Sequence, residues 1–173
     1  GQEWAKDFFG EDAGKYVYSH VAGAMKFIPY GTAVDHFQHE IYAHPEYTPR
    51  QRHDVWKKLC QLYMPWYRLD GQIPFYSDGE HWQLKHHIYS SPFYYIDYCL
   101  AQTISLEFWA MIQTDIHKAW DKYMEYTSLG GSDTWTNMLK TSHLSSPFEG
   151  DTLKEICEKV QEYLDNYDLT DIA

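Results

Sequence analysis

Apolar residues recur along this chain at intervals of three and four and nowhere alternate convincingly with period two, which predicts an all-α domain. Tyr16, Val17, His20, Val21, Ala24 and Phe27 share one face of a helix that Asp12 can cap and that runs to about Ile28. Pro29 is expected to break or kink it. A second helix then covers Thr32 to Ala43, with Val34, Phe37, Ile41 and Tyr42 inward, and stops before Pro45. Thr48-Pro49 joins a cap to a first-turn proline and starts a helix through Val55, Leu59 and Leu62 to Tyr63. Pro65 to Asp78 is a long connection, and a loop of that kind in a helical domain is usually functional or wraps another surface.

Gly79 to Tyr89 reads as a helix bearing His81, His86 and His87. Ser90-Ser91-Pro92 then gives a helix start, with a serine cap and a proline where no N–H is needed. Nothing breaks that helix before Gln113. Phe93, Ile96, Leu100, Ile104, Leu106, Phe108, Trp109, Met111 and Ile112 fall on every side of it, so it is expected to be central and buried. Thr114 can cap the next helix, which ends at Gly130-Gly131. Ser132 to Leu144 is a short helix, Ser145-Ser146-Pro147 a turn, and Asp151 to Tyr167 the last, amphipathic helix. Gln2 to Phe9 is a short stretch in front of them all. No repeat period is visible, and 173 residues suit a single domain.

Composition narrows the function. Fourteen basic residues against 25 acidic ones give a formal charge of −11, which argues against binding a nucleic-acid backbone. Much of the acidity is local: Glu149 to Ala173 holds eight acidic residues and two lysines, which most simply solvates a terminal helix. Cys60, Cys99 and Cys157 are odd in number, far apart and in helical patterns, so reduced core thiols and a cytoplasmic location are expected. Asp97, Gln102 and Glu107 interrupt the best candidate for a membrane span, so a soluble protein is expected. Aromatics make up 18% of the chain, which suits a rich core or a pocket that grips side chains.

Two groups of residues could carry chemistry. His39-Glu40-Ile41-Tyr42-Ala43-His44 approaches the His-Glu-x-x-His of a zinc peptidase helix, in which histidines four apart share a face. Here Ala43 holds the fourth position and His44 lies about 140° away around the helix. His36, His39 and Glu40 leave a self-contained metal site as a weaker alternative. The second group is His81, His86 and His87 with the tyrosines that follow. As zinc ligands the three histidines lack a completing Cys or Glu. As hydrogen-bond donors beside a helix start they fit better. Tyr94 and Tyr98 are four apart and Tyr95 and Tyr98 three apart, so their hydroxyls can converge. Buried tyrosine hydroxyls need partners, so the same residues could equally satisfy one another inside an aromatic core. There is no phosphate loop, nucleophile elbow or basic aromatic stripe. From residue types alone, a stand-alone helical module binding a peptide or small ligand stays open.

Several runs of the chain resemble the C-terminal part of an oligoendopeptidase F-type zinc metallopeptidase, in the wider thimet oligopeptidase group. They are Phe27-Ile28-Pro29-Tyr30-Gly31-Thr32-Ala33-Val34-Asp35-His36-Phe37-Gln38-His39, Trp82-Gln83-Leu84 with His87-Ile88-Tyr89, and above all Pro92-Phe93-Tyr94-Tyr95-Ile96-Asp97-Tyr98 with Leu100-Ala101-Gln102. Leu129-Gly130-Gly131-Ser132 and Ser146-Pro147-Phe148 continue it. The resemblance implies a mostly helical shell around a deep channel for oligopeptide substrates. It implies zinc as cofactor, with ligands upstream of Gly1, since no His-Glu-x-x-His occurs here. The chain is then expected to be a fragment, inactive alone, that packs on the missing N-terminal part of the same enzyme. The family sets a histidine and tyrosines against the oxyanion that forms as water attacks the peptide carbonyl. Carried over by position, this implies His87, Tyr95 and Tyr98 as catalytic donors, each able to contribute about 3 kcal/mol. His86 and Tyr94 are implied on the substrate-binding side.

Overall fold

The computed structural model describes residues 4–172, so Gln2 and Glu3 of the N-terminal stretch lie outside the described residues. The helices are α1 (Ala5–Phe9), α2 (Ala13–Ala43), α3 (Pro49–Tyr63), α4 (His87–Ser90), α5 (Ile96–Thr114), α6 (Ile116–Ser128), α7 (Trp135–Thr141) and α8 (Thr152–Asp165). Short 3₁₀ turns lie at Gly10–Asp12, His81–Leu84 and Leu169–Ile172. Among the described residues there is no strand, as the periodicity requires. No helix among them is long and apolar enough to cross a membrane. The chain forms two compact units, Lys26–Leu100 and Gly1–Met25 with Ala101–Ala173.

Pro29 does not break the chain. α2 runs 31 residues straight through it. A mid-helix proline removes one N–H and crowds the carbonyl four residues back. Here the neighbouring Ile28 carbonyl accepts from the Thr32 hydroxyl (2.9 Å) and the Cys99 thiol (3.7 Å). The next two turns bury Ala33, Val34, Phe37 and Gln38 completely. Tertiary burial of that face outweighs the local penalty.

In the Lys26–Leu100 unit, the core gathers Phe37 and Ile41 of α2, Trp56, Leu59 and Cys60 of α3, and Trp82, Ile88 and Tyr95. Trp56 meets Phe37 edge-on at 5.3 Å. α3 starts where Thr48-Pro49 predicts: the Thr48 hydroxyl accepts from the Gln51 N–H, and the Gln51 side chain accepts from the Thr48 N–H. Gly79 stands at φ 80°, and a Cβ there would come within 2.8 Å of the His53 carbonyl oxygen. A side chain at that point would push the loop off α3. Gly31 has a matching role, because a Cβ on it would overlap the Cys99 sulfur at the start of α5.

The stretch expected as one helix over Gly79 to Tyr89 is instead the 3₁₀ turn, an extended Lys85 (ψ 95°) and the single turn of α4. The Lys85 break lets Trp82 and Ile88 both reach the core. Ser91-Pro92 does not open the long helix either; α5 begins four residues after Pro92, at Ile96. α5 buries Cys99, Thr103, Ile104, Leu106, Glu107 and Ala110, while Asp97, Tyr98, Ala101, Ser105 and Ile112 are exposed, so it is not enclosed on every side.

In the other unit, Ile104, Leu139 and Leu144 form a core flanked by Phe108, Met111, Tyr126 and Trp135. Asp115 caps α6, accepting from the His117 and Lys118 N–H groups at 3.1 Å each, because α5 extends through Thr114. Those bonds, the one from Lys118 foremost, hold its carboxyl below the usual range. Gly130 and Gly131, at φ 53° and 77°, end α6 as expected.

Candidate functional site

The departure at Ser91-Pro92 builds the site. A helix starting at Pro92 would need Phe93 in the right-handed region, but Phe93 stands at φ 58°. That conformation is costly for a bulky residue and persists only where neighbours impose it. Its N–H donates to Gln38 Oε1 at 2.9 Å. Its ring packs on His39 at 4.6 Å and edge-on to Tyr42 at 5.3 Å. Tyr94 and Tyr95 therefore leave a tight turn, not a helix, and Tyr98 sits in the first turn of α5.

That turn sets three tyrosines around one imidazole. The His87 ring stacks on Tyr94 at 5.4 Å and meets Tyr95 and Tyr98 edge-on at 5.3 and 6.3 Å. The Tyr94 and Tyr98 hydroxyls bond each other at 2.8 Å. One proton is used inside that pair and the other is left to donate outward. Tyr95 is 8% exposed, whereas Tyr94 and Tyr98 are 43% and 44% exposed, so the cluster has a buried floor and an open rim. Burial pushes the Tyr95 phenol up, and the hydrogen bond shared with Tyr94, foremost, pushes Tyr98 up. Both stay protonated donors at neutral pH. Lys85 Nζ lies 4.9 Å over the Tyr30 ring and 5.9 Å over Tyr95, bringing positive charge beside the floor. His87 Nδ1 is buried without a hydrogen-bond partner.

The remaining histidines are placed elsewhere. His86 is exposed at the cap of α4; the tyrosine contacts are those of His87. His81 is a core residue: its Nε2 accepts from Trp56 Nε1 at 3.0 Å and its Nδ1 bonds the Tyr76 carbonyl at 3.0 Å. Burial, foremost, lowers its pKa, which suits this neutral, fully bonded ring. On α2, His36 bonds the Tyr63 hydroxyl at 2.9 Å and lies 3.5 Å from Glu40, while His39 lies 3.4 Å from Asp35. The His36, His39 and Glu40 alternative thus dissolves into separate pairs. Among the described residues, no group of three or more His, Cys, Asp or Glu side chains could hold a metal ion. Gln38 and Phe93 lie in runs that carry the resemblance, but nothing in the sequence marks their contact with each other or with Tyr42.

Comparison with known proteins identifies the family. Residues 15–158 match the model of peptidase family M3. An X-ray structure assigned as an oligoendopeptidase F superposes with a TM-score of 0.90 at 40% identity. PZ peptidase A, solved with an inhibitor, gives 0.89 at 38%, and a structure assigned as an oligoendopeptidase F from Bacillus anthracis gives 0.78 at 34%. Each superposition covers 96% of this chain, which spans only 29%, 30% and 26% of those chains respectively. No curated protein matches the chain.

Proposed function

The chain belongs to peptidase family M3, a family of zinc metallopeptidases, and from that membership we propose that it forms the substrate-facing part of a longer enzyme that hydrolyses oligopeptides. In this reading His87, Tyr95 and Tyr98 donate hydrogen bonds to the scissile carbonyl oxygen as it gains charge. Donors fixed in advance stabilise the transition state more than the substrate, because they need no reorganisation when charge develops. The observation that carries the reading is the His87 ring ringed by three tyrosines, two with hydroxyls at the open rim. Tyr94 holds the Tyr98 hydroxyl and, with the exposed His86, faces the peptide. The chain spans only 29%, 30% and 26% of its solved relatives, and in this reading the zinc ligands belong to the part of the enzyme upstream, on which this chain packs. Burial pushes the thiols of Cys60 and Cys99 up to about 12 and about 11, which fits inert core thiols.

The test is cleavage of a quenched fluorescent peptide by the full-length protein carrying Tyr95→Phe. The expected result is a kcat lowered about a hundredfold with metal content unchanged, on the scale of one oxyanion donor. Undiminished turnover would remove Tyr95 from the donor set.

A further inference from the structure

We infer that Gln38 and Tyr42 are positioning residues for the proposed reaction: one turn apart on α2, they pin Ile88 and Phe93, the two ends of the turn flanked by His87 and Tyr94. The inference rests on the reading of His87, Tyr95 and Tyr98 as donors. At one end, the Tyr42 O–H donates to the carbonyl of Ile88, the residue after His87, at 2.5 Å. At the other, Gln38 Oε1 accepts the N–H of Phe93, the residue before Tyr94, at 2.9 Å. Between these points the chain turns through the left-handed Phe93, whose ring rests on Tyr42 and His39. A turn of that kind needs something to hold it.

The chemistry of Gln38 shows what it is for. It has no exposed surface, and its Nε2 is buried without a partner, so a methionine would fill the volume with no orphaned donor. What the amide adds is the acceptor oxygen, and the Phe93 N–H fixes which end of the amide faces the turn. Neither Gln38 nor Tyr42 has to touch the peptide; both act through the donors they place.

Gln38→Met, Gln38→Glu and Tyr42→Phe are made in the full-length enzyme, alone and combined with Tyr98→Phe, and kcat, KM and melting temperature are measured. Gln38→Met should lower kcat about tenfold with KM within about twofold, because misplaced donors cost transition-state binding alone. Gln38→Glu, which restores an acceptor oxygen, should recover most of that loss. Tyr42→Phe keeps its ring against Phe93 and should lower kcat about threefold, and it carries the test if Gln38→Met fails to fold. Adding Gln38→Met to Tyr98→Phe should cost less than it does alone, since both act on one set of donors. A normal kcat in Gln38→Met beside a damaged Tyr98→Phe overturns the clamp and spares the donors. Fully multiplicative losses also overturn it. A normal kcat in Tyr98→Phe overturns the donor reading, and the clamp with it.

Discussion

His81 and His87 lie six residues apart in one unit, and their surroundings are opposite. His81 is 7% exposed, has both ring nitrogens bonded, and sits edge-on to Trp56 at 5.3 Å. His87 has a buried Nδ1 without a partner and is surrounded by three tyrosines, of which Tyr94 and Tyr98 are exposed. A satisfied polar group in a core contributes to stability, and its neighbours leave it nothing further to do. Convergent donors with spare capacity at an open rim cost stability and persist for another reason. The completeness of their hydrogen bonding separates the two histidines.

Replacing each histidine breaks the comparison most directly. His87→Ala should lower kcat about a hundredfold in the full-length enzyme with little change in melting temperature. His81→Ala should leave kcat per folded molecule intact and cost about 2–4 kcal/mol in denaturant unfolding, from the cavity and the orphaned Trp56 N–H. If the two effects change places, the assignment of core and site is reversed. Gly31→Ala sharpens the contrast from the backbone side. Its methyl meets the Cys99 sulfur four residues beyond Tyr95, so stability should fall by about 1–3 kcal/mol and kcat should fall too.

Acid gives a smaller contrast. Folding holds the His81 pKa below its unfolded value of about 6.5, so the unfolded chain takes up a proton first. The stability that depends on the neutral ring is complete above that pH and is lost as pH falls from there through the folded value. The slope is at most about 1.4 kcal/mol per pH unit, and His81→Gln should flatten it in unfolding curves collected between pH 7 and 5. Thr48→Ala, which removes only the cap of α3, should cost about 1 kcal/mol and leave kcat unchanged, setting the baseline for a purely structural change in this unit.

The sequence disclosed the parts of this molecule whose cause is local. The Thr48-Pro49 capping box, the glycine stop after α6 and the all-helical class follow from side-chain chemistry within a few residues. It was silent where distant groups decide. Pro29 stays helical because of what its face buries, and the Ser91-Pro92 start fails because Gln38, 55 residues earlier, captures the Phe93 N–H. The convergence of Tyr94 and Tyr98 was legible from their spacing, and the structure supplies the 2.8 Å bond even though Tyr94 is not helical. That His87 and not His86 turns toward the tyrosines came from the resemblance, since adjacent histidines look alike to periodicity. The clamp was not legible: periodicity placed Tyr42 inward and Gln38 fell within the resembling run, but neither shows that both bond a segment some fifty residues later.

The central claim is that the tyrosine rim stabilises charge in the transition state, and kcat of Tyr98→Phe in the full-length enzyme, measured with KM and metal content, tests it most directly. The account predicts a kcat about a hundredfold lower, with KM and metal content unchanged. A Tyr98→Phe enzyme that turns over at the normal rate would contradict it.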